Sequence, residues 1–115
     1  MTRKTRPISW VNAALKEFNK FPDGAQSICL AALTIAAEGG KSDLAKPLKG
    51  LGSGVWEIAL PYIGNAFRVV YAVQLGSDVW VVHAFQKKSA HGIKTPQHEI
   101  DLVKDRLKRL REMAR

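Results

Sequence analysis

The chain has 115 residues, of which 46% are hydrophobic and three are Trp. It can therefore bury a hydrophobic core large enough to fold without disulfides or a structural metal. Its 18 Lys and Arg against 10 Asp and Glu give a net charge of +8, which favours a polyanionic partner: RNA, DNA, a ribosome or an acidic protein. The only cysteine, Cys29, excludes an intrachain disulfide and a cysteine metal cluster.

These totals predict one domain over residues 1–115. The N-terminus is basic, but no apolar stretch follows it as in a signal peptide. The longest helix-like apolar run, residues 28–37, is too short to span a bilayer. We therefore expect a cytoplasmic protein with a buried, unreactive Cys29.

The first third of the chain predicts a short strand followed by two helices. The strand covers residues 6–11, a weak helix covers 12–20, and a second helix runs from an N-cap at Asp23 to about Ala37. The apolar positions of the second helix follow helical spacing and predict one buried stripe: Ala25, Ile28, Cys29, Ala32, Ile35 and Ala36. Two helices joined by a tight break predict a helical hairpin laid on a sheet.

Residues 41–54 are rich in Gly and Lys and predict a loop. A glycine loop that cradles phosphate opens a helix, whereas this segment leads into a strand, so its composition does not indicate such a cradle. The loop brings Lys46 and Lys49 close in sequence to that strand.

Three β-branched and aromatic runs, at 55–60, 67–73 and 79–85, predict the central strands. Turn residues at 61–65 and 76–78 separate them, and the apolar character of the runs predicts a sheet covered on one face by helices. A second loop with His91 and Lys94 follows. Thr95 is the expected N-cap of a last helix with Pro96 at its first position.

The last helix has one apolar stripe, formed by Ile100, Val103, Leu107 and Leu110. Basic residues crowd its C-terminal half, where they suit the helix dipole. These residues form either a solvated helix face or a surface that contacts RNA.

Three polar residues interrupt the apolar strands. If the strands are antiparallel neighbours, Glu57 and Arg68 lie on one face within reach of an ion pair. Alternation puts His83 on the face of Val79, Val81 and Phe85, where it is either a hydrogen-bonded core residue or a catalytic one. The spacing of the histidines does not favour a zinc site, and no metal or other cofactor is predicted.

Internal cleavage of an RNA strand needs a base that activates the 2′-hydroxyl, cations that stabilise the charge on the phosphate oxygens, and an acid that protonates the leaving 5′-oxygen. Clustered cations lower one another's pKa, so Lys87 and Lys88 beside Arg68, with Lys46 or Lys49 nearby, meet this description. A site that only binds phosphate has the same sequence pattern, so both functions stay open.

Five segments taken together resemble the RelE/HigB-type toxins, in the phage-derived toxin branch of the RelE/ParE superfamily. They are KPLKGL, GVWEI, FRVVYAV, VVHAFQKK and TPQHEIDLVKDRLKRL, and they run from Lys46 to Leu110. The resemblance implies an α+β fold: a helical hairpin packed on a small twisted, mainly antiparallel sheet with a C-terminal helix. It also implies the toxin of a type II toxin–antitoxin module, a metal-independent endoribonuclease that cuts mRNA in the ribosomal A site.

The resemblance assigns roles to residues of this chain. Arg68 matches the strand arginine that contacts the scissile phosphate, Lys87 and Lys88 match the basic pair after the last strand, and Glu57 matches the strand glutamate. The catalytic candidates are Arg68, Lys87, Lys88 and His83. The candidates for RNA or phosphate binding are Lys46, Lys49, His91 and Lys94.

The resemblance implies two partners: mRNA on the ribosome and a cognate antitoxin with a helix-turn-helix. It implies contact with operator DNA only through that antitoxin. The chain departs from the family at Ala59, where the family usually has a second arginine after aromatic-Glu-Leu. This departure leaves two alternatives open beside the endonuclease: a weak or inactive regulator that binds nucleic acid or antitoxin, and a gyrase-directed toxin of the ParE kind.

Overall fold

The computed structural model describes residues 5–87 and 94–113 and contains five strands and three helices in that part of the chain. In chain order they are β1 (Ile8–Trp10), α1 (Asn12–Phe18), α2 (Asp23–Ala37), β2 (Ala45–Pro47), β3 (Val55–Tyr62), β4 (Asn65–Leu75), β5 (Asp78–Lys87) and α3 (Gln97–Met113). None of these helices is long and apolar enough to cross a membrane.

The five strands form one sheet in the order β1-β5-β4-β3-β2. Only β1 pairs in parallel, with β5, and the other pairs are antiparallel. Two-residue turns close the central hairpins, at Ile63-Gly64 and at Gly76-Ser77. The predicted α+β fold with a mainly antiparallel sheet is confirmed.

Helices cover both faces of the sheet. The hairpin of α1 and α2 packs on the face that carries Ile58, Val69 and Val81. The apolar stripe of α3 packs on the opposite face, against Val55 and Val70. The prediction of a single covered face was wrong, and the reason is that these strands are apolar on both sides, as sheets between two layers are.

The second helix begins one residue earlier than predicted and lacks the predicted side-chain cap. Pro22 occupies the N-cap position and Asp23 is the first helical residue, with no side-chain capping bond. The buried stripe also differs, because Ile28 and Ile35 are 39% and 41% exposed while Leu33 and Ala37 are buried. The helix is almost entirely apolar, so periodicity alone did not identify its inner face.

The segment predicted as one loop, residues 41–54, contains the edge strand β2. Ala45 pairs with Ile58 and Pro47 with Trp56. The strand has only three residues and carries an exposed lysine and a proline, features that suit the edge of a sheet.

A β-bulge at Val82 decides where His83 points. Val70 pairs with His83 while its neighbour Tyr71 pairs with Val81, so β5 has one extra residue. Val79 and Val81 therefore lie in the core under the hairpin, whereas His83 contacts α3 on the other face. The predicted common face of His83 with these valines was wrong because alternation fails at a bulge.

Candidate functional site

The polar side chains of the central strands collect on the sheet face that α3 covers. Cross-strand pairing places them in three successive rows, and each row runs from β2 or β3 towards β5. The rows are Lys46, Glu57, Val70 and His83; then Ala59, Arg68 and Phe85; then Pro61, Ala66 and Lys87. Neighbouring strands lie about 4.8 Å apart, so these side chains share one surface.

Glu57 and Arg68 form the ion pair expected from their spacing. Arg68 Nη1 lies 2.9 Å from Glu57 Oε1, and both residues are buried, at 5% and 7% exposure. A buried charge without a partner costs several kcal/mol by order of magnitude, about 3–5 when one partner is removed. The pair therefore stabilises both charges inside the fold.

Thr95 joins this pair instead of capping α3. Its hydroxyl lies 3.0 Å and 2.8 Å from the two oxygens of the Glu57 carboxylate and donates to that group. The helix itself begins at Gln97, and the Pro96 carbonyl accepts from the N–H of Ile100. The predicted N-cap role of Thr95 was wrong, because its hydroxyl satisfies a buried carboxylate on β3.

His83 is enclosed by two residues of α3. Its Nε2 lies 2.8 Å from Glu99 Oε1 and its Nδ1 lies 2.8 Å from Arg106 Nη1. A guanidinium has only donors, so Nδ1 accepts from Arg106 and the proton of the neutral ring sits on Nε2, facing Glu99. The ring also stacks on Phe85, with 5.1 Å between ring centroids.

Burial lowers the pKa of His83 below its usual 6.5, because the charged imidazolium loses its hydration there. The hydrogen bond to Glu99 raises this pKa and the charge of Arg106 lowers it, and both effects are smaller than that of burial. The lowered pKa therefore keeps the His83 ring neutral at pH 7, between the carboxylate of Glu99 and the guanidinium of Arg106. Its predicted catalytic role stays a prediction.

Sequence reasoning missed Glu99 and Arg106 as partners of His83. The signal was present in the helix: both residues stand on the same side as the buried Val103, at i−4 and i+3 from it. Charged residues on the buried side of a helix need a polar partner on the surface they pack against. His83, an embedded polar residue of the opposing strand, is that partner.

The predicted lysines fall in different places. Lys46 is exposed on β2, directly opposite Glu57. Lys87 ends β5, and its Nζ donates to the backbone carbonyl of Lys94, 3.0 Å away. Lys88 and His91 lie outside the described residues, and their predicted roles stay predictions.

Lys49 lies away from this group. It follows β2, just past Leu48, whose N–H donates to the carbonyl of Val55 at the start of β3. Val55 is four residues before Ala59, which at about 3.3 Å per residue is about 13 Å along the strand. The structure therefore brings Lys46 and Lys87 to the surface around Arg68 and places Lys49 near the start of β3.

Together these residues provide a buried arginine with a carboxylate partner, flanked by Lys46 on the edge strand β2 and by Lys87 at the end of β5. Such a surface suits a phosphate group, whose oxygens accept hydrogen bonds from Arg and Lys. The same arrangement serves phosphate binding and phosphate-transfer chemistry.

Comparison with known families identifies the chain. The sequence profile of the family described as phage derived protein Gp49-like (DUF891) matches residues 16–108. The chain belongs to the Gp49-like family. The match spans α2, the whole sheet except β1, and most of α3, so it includes every described candidate residue of this Gp49-like site. No curated protein sequence matches the chain.

Solved toxin structures have the fold of this Gp49-like chain. One is the Escherichia coli toxin RelE in its free state, with two arginines replaced by alanine. It is 20% identical to this chain, with a TM-score of 0.63, and the match covers 91% of this chain and 97% of that one. The isolated Escherichia coli RelE toxin is also 20% identical, with a TM-score of 0.59 over 87% of this chain and 97% of that chain. The predicted resemblance is thereby confirmed in family and fold.

A third similar structure comes from the RelBE2 toxin–antitoxin complex of Mycobacterium tuberculosis. It is 13% identical, with a TM-score of 0.51 over 76% of this chain and 98% of that chain. At these identities the likeness of the Gp49-like chain to the three structures is one of fold.

Proposed function

We propose that this chain is the toxin of a type II toxin–antitoxin module and that it cleaves mRNA in the ribosomal A site without a metal ion. The supporting observation is that Arg68 and two predicted lysines, Lys46 and Lys87, share one sheet face in a chain with the fold of RelE toxins. Its partner is an antitoxin, by analogy with the toxin–antitoxin complex of similar fold, and the net charge of +8 on this chain favours an acidic one.

In this proposal Arg68 binds the scissile phosphate and Lys87, with Lys88, stabilises the charge that develops on its oxygens. Because Arg68 is only 5% exposed, its guanidinium must become accessible when RNA binds. A phosphate that approaches Arg68 replaces the carboxylate of Glu57 as its anionic partner, which lowers the cost of exposing the arginine.

A map of RNA 5′ ends after a short pulse of expression tests this function. The parent is compared with Arg68→Lys, which keeps the positive charge that pairs with Glu57 but loses the planar guanidinium, and with Lys87→Gln. The control is Lys16→Gln, which removes one exposed cation from α1. We expect new ends within reading frames, in register with codons, that weaken in both site variants and persist in the control.

A second candidate function is a regulator that binds nucleic acid or antitoxin without cleavage, and Ala59 favours it. The residue opposite Arg68 is this alanine, so the surface has one cation fewer than the family pattern. An unchanged map of 5′ ends with normal growth would favour the regulator. Growth arrest with an unchanged map would instead indicate a gyrase-directed toxin, and full cleavage by both site variants would refute the site assignment.

A further inference from the structure

A second basic surface lies between α3 and the loop that joins β2 to β3, near the start of β3 at Val55, four residues before Ala59. It contains a cleft of about 400 Å³, which we call the loop cleft. Its lining residues are Gly50, Leu51, Gly52, Lys104, Leu107 and Arg111. The loop cleft shares none of these residues with the site around Arg68.

Arg111 is fixed at the edge of the loop cleft. Its Nη2 donates to the Leu51 carbonyl over 2.8 Å. A Cβ at Gly52 would lie 2.7 Å from that same Nη2, and Gly52 has a φ of +92°, so glycine is required there both for the backbone conformation and for the approach of the guanidinium. Arg111 also lines the adjoining cavity of about 260 Å³ beside Ser53 and Gln74. The loop therefore holds a positive charge in a defined place between two concave surfaces.

Within the described part of the chain, the lysines at the loop cleft and next to its lining residues form no ion pair. Lys49, Lys104 and Lys108 are exposed, and none of them, nor Arg111, lies within 4.0 Å of a carboxylate in residues 5–87 and 94–113. Three of the four acidic residues of this helix have partners elsewhere: Glu99 bonds His83, Asp105 pairs with Arg109, and Asp101 accepts from Gln97. The fourth, Glu112, follows Arg111 in the chain and forms no ion pair with the described residues, so the cations around it outnumber it. Cations without partners on a concave surface raise the local positive potential and attract polyanions.

The lining favours a phosphate backbone over an acidic peptide. A bound peptide gains most of its affinity from apolar or aromatic anchors that enter pockets in the partner. Leu51 and Leu107 are 5% and 0% exposed, so the apolar residues of the loop cleft are already buried within the fold. What remains accessible is cationic side chains and the glycine backbone, which suit the sugar–phosphate chain of a nucleic acid.

We propose that the loop cleft is a second RNA-binding site, which holds backbone phosphates with Lys49, Lys104 and Arg111 while the scissile phosphate lies at Arg68. The choice of RNA as the polyanion rests on the proposed function. Val55, which lines the cavity adjoining the loop cleft, lies about 13 Å along β3 from Ala59, the residue opposite Arg68. A separation of this order is too large for one phosphate to contact both sites, whereas a single RNA strand or a folded ribosomal RNA segment can span them. The site contributes affinity and position, and takes no part in bond cleavage.

Binding of two RNA probes whose ribose 2′-hydroxyls are methylated tests the proposal, because neither probe can be cleaved through its 2′-hydroxyl. One probe is an unstructured strand, representing mRNA, and the other is a short hairpin, representing ribosomal RNA. The variant Lys104→Gln with Arg111→Gln is compared with Lys16→Gln with Lys20→Gln, which removes the same charge from exposed positions around α1. Dissociation constants are measured over a range of salt concentrations, and circular dichroism checks that each variant is folded.

Each phosphate contact contributes about 0.7–0.9 to the slope of log K on log salt concentration, so we expect the loop-cleft variant to lose about 1.4–1.8 of that slope. At low salt we expect its affinity to fall roughly tenfold or more, while the control pair stays close to the parent. Arg111→Lys, which keeps the charge but lacks the fork that bonds Leu51, should show an intermediate loss. If the loop-cleft variant loses more affinity for the unstructured strand, the bound RNA is mRNA, and if it loses more for the hairpin, the bound RNA is ribosomal.

Equal slopes for the parent and the loop-cleft variant, or an equal loss in the control pair, would overturn the proposal. It would also be overturned if the variant lost binding to poly-glutamate while both RNA probes bound as before, because the loop cleft would then accept an acidic protein. The proposed endonuclease function is tested separately by the 5′ ends of unmodified mRNA. A chain that binds the methylated probes through the loop cleft but makes no new 5′ ends would keep this inference and refute the cleavage.

Discussion

Ala59 lies directly opposite Arg68 in the ladder between β3 and β4, on the sheet face that carries the candidate site. Arg68 finds its anionic partner one position further along the same face, in Glu57, which is paired with Val70. The position at which we interpret this sequence as departing from the RelE/HigB-type toxins therefore lies beside the arginine on which the proposed chemistry depends.

Ala59→Arg should strengthen the site. The new guanidinium would stand next to Arg68, and one further donor at a developing negative charge is worth a gain in cleavage rate on the order of a hundredfold. The like charges should also lower the free energy of unfolding by about 0.2–1 kcal/mol. Cleavage of ribosome-bound mRNA and chemical denaturation measure the two effects. Ala59→Gln supplies similar bulk without charge, and an equal gain in that variant would contradict the electrostatic explanation.

Glu57→Gln should destabilise the fold strongly. It leaves the Arg68 charge buried beside a neutral amide, and the loss of one partner from a buried ion pair costs about 3–5 kcal/mol. Urea denaturation followed by tryptophan fluorescence measures this change in the free energy of unfolding. Glu17→Gln is the control, since the Glu17–Lys20 pair is exposed and contributes at most about 1 kcal/mol. Equal effects in the two variants would show that the Glu57–Arg68 pair adds little.

The free energy of unfolding should fall in mild acid because of His83. The folded chain holds His83 neutral, with a pKa below 6.5, between Glu99 and Arg106 and with Glu17 close enough to influence it. Below pH 6.5 the unfolded chain binds a proton that the folded chain does not, so this contribution is complete above pH 6.5 and is lost as the pH falls towards the lowered pKa.

Thermal unfolding at a series of pH values, compared between the parent and His83→Gln, measures that contribution. The substituted chain should lose part of the slope between pH 6.5 and the lower pKa, because glutamine does not titrate there. His98→Gln is the matched control, since His98 is largely exposed, with its side chain at 77%. An identical slope in the parent and His83→Gln would mean that His83 does not change protonation on unfolding in this range.

Ile63→Asn should stabilise the protein. Ile63 is 84% exposed at the tip of the β3–β4 hairpin and has a φ of +48°, a conformation that a β-branched residue adopts only with strain. Asn-Gly is the preferred pair for such a turn, so the substitution should add about 1 kcal/mol to the free energy of unfolding. A rise in melting temperature of about 4 °C would follow. Ile63→Val keeps the branching and should leave the melting temperature unchanged, and a rise in that variant would point to side-chain exposure as the cause.

The central strands, both hairpin turns and the stripe of α3 were predictable because each is a local pattern. Alternation or helical spacing over a few residues decides them, and the Glu57–Arg68 pair follows from two strands joined by a short turn. Family membership was likewise predictable, because the five matching segments lie along the chain in order.

Tertiary structure alone decided how the site is closed. Thr95 is 38 residues from Glu57 in sequence, yet its hydroxyl donates to the Glu57 carboxylate and does not cap the helix. A buried carboxylate without donors costs more free energy than a helix N-terminus that water can reach. His83 faces α3 because one extra residue in β5 reverses its direction, and a bulge leaves no mark in the alternation of an all-apolar strand. Lys49 lies far from Arg68 although it is close in sequence to the same strand, since β2 runs antiparallel to β3 and carries the loop to the other end of the sheet.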